Sequence, residues 1–153
     1  MTDGLNHLIE INKDAEAGFR TAAANVNNTE LESLFNKYAG QHAKLASELQ
    51  RDVKRAGEIP ADSGTAGGAV HRGWMDVKSA LSGGSAASML SSCRSGEDSA
   101  IAAYADVMKD TPSGQAYSLL EKHQQQIREI YTRLTRLLGE IKDGVEFQEN
   151  KEE

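Results

Sequence analysis

The stretch AYSLLEKHQQQIREIYTRLTRLLGEI, residues 116–141, decides the fold. Its apolar positions Ala116, Leu120, Ile127, Ile130, Leu134, Leu137 and Ile141 are spaced by alternating fours and threes, the repeat of a helix that buries one stripe against a partner helix. His123 occupies the remaining position of that stripe and is its one polar member. Working outward, the same spacing recurs three times. A helix from Thr2 or Asp3 to about Val26 carries Leu5, Ile9, Asn12, Glu16, Phe19, Ala23 and Val26. A second, from about Glu30 to Ala56, carries Leu31, Phe35, Tyr38, His42, Leu45 and Leu49, then Val53 and Ala56. A third, from near Ser85, carries Leu90, Cys93, Glu97, Ala100, Tyr104 and Val107, with Ile101 and Met108 widening the stripe.

The breaks between these helices have their own signals. Asn27-Asn28 closes the first helix, and Thr29 with Glu32 forms a capping box for the second. The connection is short, which makes the two antiparallel neighbours. Gly57 stops the second helix, and Thr111-Pro112 stops the third. Between Gly57 and Gly84 lie GEIPADSGTAGGAV, a short amphipathic helix with Val70, Trp74, Val77 and Leu81, and the breaker SGG at 82–84. A connection that long, with a helix of its own, suits a crossover traversing the bundle. The expected architecture is all-α: four long helices running up, down, down, up, over residues 1–142, followed by a frayed acidic tail at 143–153.

Composition narrows the function classes. Lys+Arg 17 against Asp+Glu 23 gives a net charge of -6, which disfavours nucleic acid as a partner. No apolar run is long enough to span a membrane, and Asp3, Asn6, His7 and Glu10 stand where a secretory leader would be basic and then apolar. With the lone Cys93, this reads as a cytoplasmic chain. Cys93 itself reads as a small core residue, and His7 and His71 as solvated. GTAGG and SGGS lack the Lys-Ser or Lys-Thr pair of a phosphate loop. The charged row Glu121, Lys122, Arg128, Glu129, Arg133, Arg136 and Glu140 mixes both signs, as a solvated face or part of a dimer contact would. Trp74 is the best single anchor for covering the bundle or joining a second copy in a homodimer.

Chemical content is confined to the polar residues that interrupt the stripes, chiefly Glu16, His42, Glu97 and His123, one per helix. Counted from the turns at about 1.5 Å per residue, the glutamates share one level of an up, down, down, up bundle and the histidines the next. A buried carboxylate costs several kcal/mol unless something compensates it. Two glutamates and two imidazoles could bind one Fe, Mn or Zn ion, or could pair with each other without metal, and charge balance alone does not choose. Tyr38, one turn from His42, could donate its hydroxyl to Glu16, and Asn12 reads as a register-setting polar residue.

A Glu, a His, a Glu and a His in successive helices, together with DAEAGFRTAA, HRGWMDVKSAL and SGEDSAIAAYADV, resemble the small bacterial ferritin-like proteins of a family of uncharacterised function linked to stress responses. The resemblance spans residues 3–142 and implies a ferritin-like bundle, a stress-associated role and a metal site at Glu16, His42, Glu97 and His123. The chain departs from the di-iron members, which carry Glu-x-x-His on two helices. Ala39 and Leu120 stand three residues before His42 and His123, and Glu121 is rotated about 100° off the stripe. The expectation is therefore a non-catalytic bundle with a degenerate or mononuclear site, against a mononuclear Fe or Mn protein acting on oxygen or peroxide.

Overall fold

The computed structural model describes residues 2–65, Trp74 and residues 85–142, which form four helices and no strand. α1 spans Thr2–Asn25, α2 Thr29–Arg55, α3 Ala86–Lys109 and α4 Gln115–Lys142. The cap of α2 differs from the expected capping box. Asn28, in an extended conformation, accepts a hydrogen bond from the Leu31 amide at 2.9 Å, so Thr29 is already inside the helix. Asn and Thr are both good N-caps, and a sequence carrying them side by side leaves the choice to the turn. Ser85, where the sequence reading started the third helix, is the cap of α3 and accepts from the Ser88 amide at 3.0 Å. Gly57 ends α2 with φ +80, a conformation that only glycine adopts without strain, and its amide donates to the Lys54 carbonyl.

Two apolar clusters show how the helices run. One gathers Phe19 and Ala22 of α1, Phe35 of α2, Leu90 and Cys93 of α3, and Leu134 and Leu137 of α4. The other gathers Leu5 and Ile9, Leu49 and Val53, Ala103 and Tyr104, and Leu120 and Ile127. The end of α1 is therefore level with the starts of α2 and α3 and with the end of α4: α1 and α4 point one way, α2 and α3 the other. α1 packs closely on α2 and on α3, and α3 on α4, while α2 and α4 pack less closely on the remaining side.

After Gly57 the chain turns back along α1. The Asn6 side chain accepts from the Ala61 amide at 2.8 Å and donates to the Ile59 carbonyl, and Gln50 donates to the Ala61 carbonyl. Two turns further along α1, about 12 Å on, the buried Asp14 carboxylate accepts from the amide and hydroxyl of Thr65. Polar groups on α1 thus guide the first part of the crossover across the bundle, and Asp14 is one the periodicity passed over. Trp74 then inserts between α1 and α3. It is 6% exposed, its ring centroid lies 5.0 Å from that of Phe19, and it fills space that side chains at Gly18 and Gly96 would need. A Cβ at either glycine would fall 2.1 Å and 2.3 Å, respectively, from an indole carbon. Of the expected roles for Trp74, covering the bundle is the one this packing serves. The rest of the expected short helix, with Val70, Val77 and Leu81, His71, and the tail from 143 lie outside the described residues.

Candidate functional site

Between the two apolar clusters lies a layer of polar side chains that no single helix could support. Asn12 of α1 is fully buried, and its amide nitrogen donates to the Leu8 carbonyl one turn back, at 2.9 Å. A backbone carbonyl only accepts, so this bond fixes which end of the amide is nitrogen. The other proton on that nitrogen goes to the Tyr104 hydroxyl oxygen of α3 at 2.8 Å. The amide oxygen faces His42 Nδ1 of α2 at 2.7 Å, and Nδ1 must therefore carry a proton and donate.

Each imidazole then leads to a carboxylate. Tyr104, having accepted from Asn12, donates its own proton to His123 Nδ1 of α4 at 2.9 Å. Burial, reinforced by the charges of Glu97 and Glu48 and opposed by the bond from Asn12, pushes the Tyr104 phenol well above its ordinary range, so it keeps that proton. His123 is then protonated on Nε2, which donates to Glu48 Oε1 at 2.7 Å. Burial holds His123 below the usual imidazole value even though Glu48 pulls the other way, in keeping with a neutral ring. At the opposite end His42 Nε2 and Glu97 Oε2 stand 2.7 Å apart and share a single proton. The result is one hydrogen-bonded file, Glu97, His42, Asn12, Tyr104, His123, Glu48, through all four helices, its direction set by one carbonyl. Ring contacts hold it from both sides: Phe19 stacks on His42 with centroids 5.8 Å apart, and Tyr104 meets His123 edge-on at 5.8 Å.

Of the four residues singled out by the periodicity, the structure joins His42 to Glu97 directly and His123 to both through Asn12 and Tyr104. Glu16 is not brought in. Its side chain is 24% exposed and pairs with Arg20 at 3.5 Å. α1 buries Leu8, Asn12, Ala15, Phe19 and Ala22, so the inward stripe passes through position 15 and leaves 16 at its edge. Tyr38 makes no hydrogen bond to Glu16 among the described residues and packs edge-on against Phe19. The alternating repeat missed Glu48, which sits beside the stripe next to Leu49, and counted Tyr104 as apolar. Only the polarity of Asn12 on the stripe hinted at a longer network.

As a metal site this arrangement fits poorly. All four ring nitrogens of His42 and His123 are engaged within the protein, and among the described residues no group of three or more His, Cys, Asp or Glu side chains is placed to hold an ion. Within the file, Glu97 Oε1 is buried without a hydrogen-bond partner among the described residues, as is Trp74 Nε1 outside it. Nearby on the same helix face, Cys93 is buried, and its thiol is raised well above its ordinary value by burial and by the Glu97 charge, as expected of an inert core thiol.

No curated protein matches this chain. The described helices contain none long and apolar enough to cross a membrane. A family model for a domain of unknown function, DUF2383, matches residues 1–110, taking in α1 to α3 and leaving α4 with His123 outside, and the chain belongs to that family.

Proposed function

We propose that this chain is a non-catalytic ferritin-like bundle protein whose interior acids and imidazoles act as a metal-independent polar spine that holds four helices in register. The helix directions and the long crossover support the ferritin-like relationship. The observation that carries the reading is the closed hydrogen bonding of both histidines, which leaves no ring nitrogen for an ion. Buried polar groups of this kind penalise every slipped register, because a shift of one residue would strand several of them without partners. The stress-associated role comes from the family resemblance, and a cytoplasmic homodimer is part of the same reading.

The test is metal content together with metal response. Protein purified without chelators should retain less than stoichiometric Fe, Mn or Zn by mass spectrometry, and its melting temperature should not move when any of the three is added in excess. A second reading, one Fe or Mn ion acting on oxygen or peroxide, is favoured by the unpartnered Glu97 Oε1. It predicts one ion per chain, lost in Glu97→Gln, and that result would replace the first reading.

A further inference from the structure

The side of the bundle between α2 and α4 carries a second feature. A groove of about 580 Å³ opens there, lined by Lys37 of α2 and by Arg128, Arg133 and Arg136 of α4. Its negative member is Glu129, and none of the four cations forms an ion pair with a carboxylate among the described residues. Glu129 lines the same groove and Glu30 the adjoining one with Lys37 and Arg133, so the cations outnumber the carboxylates beside them on a chain whose net charge is -6. Arg133 and Arg136 are exposed and three residues apart on one helix, so neither supports the core.

The groove also has a built floor. Tyr38, 6% exposed, forms part of it, and no hydrogen bond to its hydroxyl is present among the described residues. Burial raises the Tyr38 phenol, Arg133 and then Arg136 drawing it back down and Glu97 adding to the rise, and both arginines line the groove with it. Gln41, Gln125 and Gln126 add uncharged donors and acceptors around it. The volume is that of a small-molecule site.

We infer that this groove binds a small anion carrying phosphate groups, gripped by Arg133, Arg136 and Lys37 and hydrogen-bonded at its base by Tyr38. Guanidinium forks match the paired oxygens of a phosphate better than they match a lone charge, and a tyrosine hydroxyl can donate to the same oxygens. The inference is independent of the polar spine, because the groove is lined by residues that the spine does not use.

Calorimetric titration with inorganic pyrophosphate tests it, with citrate as a carboxylate polyanion for comparison. The expected result is one saturable site for pyrophosphate, at least tenfold weaker in the Arg133→Gln, Arg136→Gln double variant and several-fold weaker in Tyr38→Phe, with citrate at least tenfold weaker than pyrophosphate on the native chain. Circular dichroism of the double variant should match the native protein, since both arginines are exposed. No saturable heat with pyrophosphate, or equal affinity in the native chain and the folded double variant, would overturn the site. Citrate binding as tightly as pyrophosphate would overturn its assignment to phosphate.

Discussion

The two ends of the polar spine pose the same chemistry in different surroundings. His42 and Glu97 are 2.7 Å apart with neither side chain exposed, whereas His123 and Glu48, also 2.7 Å apart, leave the carboxylate 25% exposed. At the open end water can solvate whatever His123 does not, and Glu48 of α2 meets His123 of α4 with its carboxylate partly in solvent. At the closed end nothing replaces a lost partner, and Glu97 already has one oxygen unmatched. Equal distances therefore do not imply equal worth: the cost of breaking a pair is set by what is left buried afterwards.

The largest loss is expected at the closed end. Glu97→Ala should destabilise the fold by about 3–5 kcal/mol, because it leaves His42 buried without its partner and opens a cavity. Chemical denaturation should show a lowered midpoint with an unchanged slope. Gly96→Ala attacks the same region through packing, since the new methyl would collide with Trp74. A loss of about 1–3 kcal/mol is expected, accompanied by a change in tryptophan fluorescence as the indole is displaced. Tyr104→Phe cuts the spine in the middle, leaving one proton of the Asn12 amide and His123 Nδ1 unmatched, at a cost of about 2 kcal/mol. Glu48→Ala, at the open end, should cost about 1 kcal/mol or less in the same denaturation experiment. A Glu48 variant as damaging as the Glu97 variant would show that burial does not separate the two pairs.

The smallest expected effect is on pH dependence. Burial lowers the His123 value in the folded chain, so between the unfolded value of about 6.5 and that lower value the unfolded chain binds a proton that the folded chain does not. The stability associated with a neutral His123 is present above about pH 6.5 and is lost as pH falls below it. The melting temperature should decline from pH 7 to pH 5.5, and His123→Gln should flatten that part of the curve while lowering it overall.

The helices were legible because the stripe residues repeat over many turns, and even an error of one position leaves the right face buried. The crossover was legible from its length and its Gly and Pro, although its guidance by Asn6 and Asp14 was not, since polar residues that bond a neighbouring loop have no period. The candidate site was harder for a related reason. Assigning Glu16 to the interior depended on choosing position 16 over 15, a choice the alternating repeat makes badly when a helix packs on two neighbours and buries more than one stripe. Glu48 lies off the stripe, and it enters the network through the geometry of His123 alone. Tyr104 fits an apolar pattern by its ring, and the hydroxyl at its tip has no signature in spacing. A linear repeat reports which face is inside and does not report which buried atoms touch.

Acids and imidazoles in this core are bonded to one another through Asn12 and Tyr104. Nitrogen-15 NMR of the histidine side chains tests it most directly, because the file of hydrogen bonds dictates the tautomers. At neutral pH His123 should be uncharged with its proton on Nε2, His42 should carry a proton on Nδ1, and neither pattern should change on addition of excess Zn. His123 protonated on Nδ1, or a shift of either ring's nitrogens on adding Zn, would contradict the account.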